Sequence, residues 1–139
     1  MTHFSHNEQE TKQIAQEFAQ TLKGGEVVFL SGELGSGKTT FVRGVAEYFG
    51  FEKPVRSPTF TIVNRYPISG KTIHQILHID FYRIEQPSEI VPLALEDELH
   101  EPQTVTFIEW PSIGESAKIE PTHRIELKRT NEAHEISIK

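Results

Sequence analysis

Apolar residues return every third or fourth position at Ile14, Ala15, Phe18, Ala19 and Leu22, the single stripe of an amphipathic helix. Ser5-His6-Asn7-Glu8 upstream has the form of a capping box, and Gly24-Gly25 downstream is a stop. A helix opening at Ser5 and closing before Gly24 is therefore predicted. The period then changes. Val27-Val28-Phe29-Leu30 is a contiguous run of β-favouring apolar residues, a buried strand. A glycine-rich stretch, residues 32–37, follows without a gap. Phe41, Val42, Val45, Ala46 and Phe49 restore the helical spacing, with Gly50 as the cap.

Beyond Ser57-Pro58, which breaks the pattern, residues 60–66 alternate loosely and predict a strand. Pro67 to Gly70 forms a turn. Residues 73–81 predict a second strand, with Ile73, Leu77, Ile79 and Phe81 on one parity. Residues 87–99 contain helical pieces interrupted by Pro92. Val105-Thr106-Phe107-Ile108 is another buried strand. The pairs Ile125/Leu127 and Ile136/Ile138 alternate in a final hairpin over residues 124–139. Strands alternating with helices imply an α/β domain, and the hairpins add antiparallel pairing. The expected fold is a mixed β-sheet flanked by helices, with a C-terminal antiparallel hairpin.

Composition narrows this picture. The length of 139 residues suits one domain over residues 1–139. The absence of cysteine excludes disulfides and thiolate chemistry and fits a reducing compartment. The first residues lack the apolar core of a signal peptide, and no apolar run approaches the ~20 residues of a membrane span. A cytoplasmic protein without membrane contact is expected. Fourteen basic against 20 acidic residues give a net charge of −6, which argues against tight direct binding to naked nucleic acid.

The chemistry concentrates in residues 32–39, GELGSGKT, a complete G-x-x-x-x-G-K-[ST] phosphate loop. Glycines let backbone amides turn inward around phosphate oxygens, and the following helix aims its positive dipole end at the anion. Residues Glu33, Leu34, Gly35, Ser36, Gly37, Lys38, Thr39 and Thr40 are thus candidate nucleotide ligands, with Lys38 near the β- and γ-phosphates and the Thr39 hydroxyl on Mg²⁺. At average usages (about 7% Gly, 6% Lys, 12% Ser plus Thr) the four fixed positions match by chance about once in 30,000 windows. The match also lies between the strand and helix that the motif demands. Two acids end predicted strands, Asp80 after Ile76-Leu77-His78-Ile79 and Glu109 after Val105-Thr106-Phe107-Ile108. Each is a candidate for the Mg²⁺ shell or for catalysis, with a solvated strand-end acid as the alternative. His78 shares a strand face with Asp80 and either lines the site or is packed and hydrogen-bonded. Glu96-Asp97-Glu98 is read as a solvated helix face.

With these residues assembled, the sequence resembles the TsaE family of bacterial ATPases required for threonylcarbamoyladenosine modification of tRNA. The resemblance rests on four blocks in order: the loop from Gly32 to Thr40, Ser57-Pro58-Thr59-Phe60, His78-Ile79-Asp80-Phe81-Tyr82-Arg83 and Glu109-Trp110-Pro111. They span Gly32 to Pro111, most of the chain, and the last three separate this family from other loop-bearing NTPases. The resemblance implies a single P-loop NTPase domain that binds ATP with Mg²⁺ and hydrolyses it in complex with TsaB and TsaD proteins, meeting tRNA only through that complex. It implies that Lys38, Asp80 and Glu109 are catalytic, that Thr39, Asp80 and Glu109 serve the metal, and that Thr59 and Trp110 lie beside the nucleotide. Thr59 as a strand-start hydroxyl and Trp110 as a packing anchor remain the alternatives. Two other functions also stay open: a small-molecule kinase, which a short chain with scattered arginines disfavours, and a non-catalytic nucleotide-dependent switch, which would not need Glu109.

Overall fold

The computed structural model describes all of residues 1–139. Seven strands form one sheet: β1 (Thr2–Ser5), β2 (Val27–Ser31), β3 (Val63–Pro67), β4 (Gln75–Asp80), β5 (Thr104–Glu109), β6 (His123–Arg129) and β7 (His134–Ile138), in the order β1-β7-β6-β2-β5-β4-β3. The four central strands β6, β2, β5 and β4 run parallel, and β3, β7 and β1 are added antiparallel at the edges. The mixed sheet and the C-terminal hairpin agree with the sequence-based expectation. β1 was not foreseen, because four residues are too few to show a period.

Strand alternation splits the core between the two faces of the sheet. Val28, Leu30, Ile76, Val105 and Phe107 point to one face, where helices α1 (Glu8–Ala19) and α2 (Lys38–Tyr48) cover them through Ile14, Phe18, Phe41 and Val45. Val27, Phe29, Leu77, Ile79 and Ile108 point to the other. There the cover is irregular: Phe81, Ile84, Ile90 and Leu95 from the segment after β4, and partly buried Ile113 and Ile119 around the short helix α3 (Ser112–Ser116). The helical pieces expected over residues 87–99 are two three-residue 3₁₀ turns around Pro87 and Pro92. Since Pro92 lacks an amide and clashes with the preceding turn, no longer helix can form there. Glu96-Asp97-Glu98 accordingly lies in turns and not on a helix face, and Glu98 binds Arg65 and Gln75.

The start of α1 differs from the expected capping box. Asn7, not Ser5, is the N-cap, its Oδ1 accepting from the Glu10 amide at 2.8 Å. Ser5 ends β1 and turns its hydroxyl inward to Thr11, 2.6 Å away. α1 and α2 pack closely at Gly44, where an added Cβ would lie 2.8 Å from Ala15 Cβ and 2.9 Å from Lys12 Cα. No helix is long and apolar enough to cross a membrane.

Candidate functional site

Parallel pairing aligns the carboxyl ends of three strands. Leu30 of β2 is paired with Glu109 of β5, and Glu109 with Asp80 of β4. The phosphate loop leaves β2 one residue beyond Leu30, so the loop and both acids lie side by side at one rim of the sheet. That rim is where ligands bind in such folds.

The loop owes its shape to glycine. Gly35 and Gly37 have φ of 78° and 104°, a region costly for residues with a Cβ. At Gly32 an added Cβ would meet Leu127 O at 2.6 Å and Ser36 Oγ at 2.5 Å. Gly37 is also the N-cap of α2 and carries no side chain to cap it, which leaves the first-turn amides free for an anion. Ser36 Oγ is buried without a hydrogen-bond partner. A curled loop, uncapped amides and an orphaned hydroxyl are the features a bound phosphate chain would satisfy.

Lys38 is buried and donates to Gly32 O across the loop, while its Nζ sits 4.1 Å from the centre of the Trp110 ring. Burial lowers the Lys38 pKa below its ordinary value, and the Glu109 and Asp80 carboxylates pull it back up. Asp80 is 1% exposed, and burial raises its pKa. The Tyr82 amide, the Thr59 hydroxyl and Lys38 act against that rise, and the Glu109 charge adds to it. Tyr82 N donates to Asp80 Oδ1 at 2.8 Å and Thr59 Oγ1 to Oδ2 at 2.9 Å, with Ser57 Oγ 2.7 Å from Thr59. Glu109, 2% exposed, accepts from His78 Nε2 at 2.5 Å. Trp110 has φ of 55°, an outlier for a bulky residue. That backbone turn at the end of β5 brings the indole over Lys38 and against Tyr82, with ring centroids 5.1 Å apart.

All the sequence-selected residues, Glu33 through Thr40 with Thr59, Asp80, Glu109 and Trp110, line one cleft of about 610 Å³. His78 does not line it: fully buried, it takes the packed, hydrogen-bonded option, between Glu109 and the Tyr66 hydroxyl 3.2 Å away. The cleft has a second wall that sequence reasoning missed, made by Ser5 to Glu8 and Thr11 at the head of α1 and by residues 129–134 of the β6–β7 turn. Arg129 approaches the loop at Gly35, and His134 approaches it at Gly37. The hairpin over residues 124–139 was legible, but the position of its turn over the phosphate loop follows from the strand order β7-β6-β2, which no local pattern encodes.

The arrangement suits a nucleoside triphosphate with a divalent cation. Lys38 and the loop amides would hold the phosphates. Thr39, half-buried in the first turn of α2, would offer its hydroxyl to the cation, with Asp80 and Glu109 supplying hard oxygen donors of the kind Mg²⁺ takes.

The family described as "Threonylcarbamoyl adenosine biosynthesis protein TsaE" matches residues 5–137. Proteins named tRNA threonylcarbamoyladenosine biosynthesis protein TsaE are 41% identical over 123 residues in Rickettsia bellii (88% of this chain, 82% of the relative) and 39% identical over 126 residues in Bacillus subtilis (91% and 76%). The crystal structure of YdiB from Bacillus subtilis superposes with a TM-score of 0.78 at 33% identity, covering 99% of this chain and 83% of that one. The match runs through both walls of the cleft, and this chain belongs to the TsaE family.

Proposed function

We propose that this chain is a Mg²⁺-dependent ATPase acting in threonylcarbamoyladenosine modification of tRNA, and that it hydrolyses ATP in complex with TsaB and TsaD proteins. The observation that carries the reading is the register that lines up the phosphate loop, Glu109 and Asp80 on three adjacent parallel strands, in a family whose members bear that pathway's name.

In this reading the loop amides and Lys38 would bind the phosphate chain, and Thr39 and Asp80 would hold Mg²⁺, which would supply positive charge to the phosphoryl oxygens. Glu109 completes the metal shell or orients the attacking water. The Thr59 hydroxyl, now spent on Asp80, lies beside the same end of the cleft. Trp110 shields Lys38 from water on one side, which strengthens its field at the phosphates. The base and ribose extend toward the head of α1 and the 129–134 turn, where the cleft continues. The sequence contains no N-K-x-D motif for guanine, which favours adenine. Partners enter because phosphate-loop proteins without a stabilising charge supplied in trans hydrolyse slowly. Phe60, 83% exposed one residue after Thr59, offers them an apolar contact.

The test is phosphate release from ATP by the purified chain, alone and with the TsaB–TsaD pair. We expect a sharp rise with the pair and a loss of about 10²–10³-fold in Lys38→Ala. No stimulation where the complex demonstrably forms would sink the ATPase reading and leave a nucleotide-dependent switch. Phosphate appearing on an added alcohol instead of in water would make the protein a kinase.

A further inference from the structure

Glu109 has three rotatable bonds, and its work at the phosphate end of the cleft depends on which rotamer it holds. His78 Nε2 lies 2.5 Å from Oε2, and a carboxylate oxygen only accepts, so Nε2 carries the proton. No hydrogen bond inside the protein engages Oε1, and Glu109 lines the cleft. One oxygen is thus held from within and the other is left for the site. His78 cannot swing away. It is fully buried in β4, with the Tyr66 ring tilted against it at a centroid distance of 6.0 Å.

The contact continues past the imidazole. Tyr66 OH donates to the Arg56 carbonyl oxygen at 3.1 Å, and its oxygen lies 3.2 Å from His78 Nδ1, in place to accept from that nitrogen when it carries a proton. Asn64 Nδ2 also donates to that carbonyl, at 3.2 Å. Three residues on, Thr59 donates to Asp80. The segment 56–59 is therefore tied at one end to Glu109, through Tyr66 and His78, and at the other directly to Asp80. Asp80 and Glu109 are themselves register partners.

We propose that His78, braced by Tyr66, is a positioning residue that holds the Glu109 carboxylate toward Mg²⁺·ATP and couples it to the 56–59 segment that carries Thr59. The inference rests on the nucleotide site proposed above, and it assigns His78 and Tyr66 a role that the cleft lining alone does not show. Partners that orient a metal-shell residue commonly change affinity or activity by about 10–100-fold when removed.

Two substitutions separate positioning from packing. The amide nitrogen of His78→Gln reaches the place of Nε2 and keeps the donor to Glu109. That of His78→Asn stops near Nδ1 and loses it. With the TsaB–TsaD pair, we expect His78→Asn to lower kcat for ATP about tenfold or more with KM nearly unchanged, and His78→Gln to retain most of the wild-type rate. In a Glu109→Gln background, His78→Asn should cause no further loss, because the two residues act as a unit. Equal losses in the two single variants, a loss confined to KM, or additivity with Glu109→Gln would overturn the proposal. A readout without turnover is the tightening of a fluorescent ATP analogue on adding Mg²⁺, which should weaken about tenfold in His78→Asn and persist in His78→Gln. If the wild-type protein releases no phosphate with its partners, the ATPase reading falls, and positioning is judged on that tightening alone: equal tightening in all three proteins would refute it. Should His78→Asn fail to fold, Tyr66→Phe, which removes only the brace, must still lower kcat or the tightening; an unchanged value for both would refute the coupling.

Discussion

The bodies of β2, β4 and β5 and their carboxyl ends follow opposite rules within a few ångströms. Along the bodies, Val27 to Leu30, Ile76, Leu77, Val105 and Phe107 are removed from water and packed on both faces. Burial there is favourable by about 25 cal/mol for each Å² of apolar surface. At the ends, Asp80 and Glu109, with Lys38 of α2 beside them, are buried almost as deeply, yet desolvating charge is unfavourable, and burial raises the Asp80 pKa and lowers that of Lys38. The bodies hold the fold together, and the ends hold charges in an arrangement the fold would not choose for stability. The left-handed backbone of Trp110 belongs to the same rim, and strain of that kind, about 1–3 kcal/mol per residue, collects at functional sites.

If that division is real, substitutions on its two sides should move stability in opposite directions. The largest effect is expected in the bodies. Phe107→Ala removes a fully buried ring from the helix-covered face and should cost about 3–5 kcal/mol in urea unfolding. A cost below about 1 kcal/mol would mean that this core collapses around the void and that the body is not the stabilising part. A smaller loss is expected at Gly44. Alanine there is favoured by helix propensity by about 1 kcal/mol, but its Cβ would stand 2.8 Å from Ala15 Cβ and 2.9 Å from the Lys12 backbone. Overpacking costs of about 1–3 kcal/mol should win and leave the variant less stable. Adding Ala15→Gly should recover part of the loss. A Gly44→Ala variant more stable than the parent would show that the two helices are free to separate.

The sequence disclosed this division unevenly. β2, the phosphate loop and α2 could be read because period and motif agree over a continuous stretch, from Val27 to Gly50. The acids Asp80 and Glu109 could be located because each ends a strand, although no strand reveals which strand lies beside it. β1 and α3 went unseen, having four and five residues. The capping box at Ser5 was a false lead: Asn7 provides the same service two residues later, which frees Ser5 for the sheet edge. Residues 87–99 combine helix formers with prolines, and Pro92 holds the helical pieces to two 3₁₀ turns, with Ile90 and Leu95 packed beside Ile79 and Ile108 in the second core. The far wall of the cleft and the His78–Tyr66 contact depend on strand order and cross-strand pairing, both non-local. His78 and Asp80 share a strand face, as their spacing requires, yet one is spent inside the protein and the other faces the cleft.

The smallest and sharpest test falls on the rim. Burial raises the Asp80 pKa above its ordinary 3.8, with the Glu109 charge adding and the Tyr82 amide, Thr59 hydroxyl and Lys38 opposing. In the metal-free protein the folded state therefore holds more protons than the unfolded state between 3.8 and the raised folded value. Stability falls as pH rises through that window, and the penalty stays in full above it. Asparagine is close to isosteric. Its Oδ1 can still accept from the Tyr82 amide, and its amide nitrogen can donate to Thr59 Oγ1, whose proton can turn to Ser57 Oγ 2.7 Å away. Asp80→Asn should thus be more stable than the parent near neutral pH in chelator, by a modest margin that shrinks as the pH is lowered and disappears below 3.8, where the parent's carboxyl is protonated in both states. The same variant should lose the Mg²⁺-dependent tightening of ATP. Urea unfolding across that pH range reads the first effect, and nucleotide binding with and without Mg²⁺ reads the second. An Asp80→Asn protein that is less stable than the parent at neutral pH would show that Lys38 and the two hydrogen bonds more than offset the desolvation. The rim would then be a stabilising ion cluster, with no stability given up for the ligand it is arranged to hold.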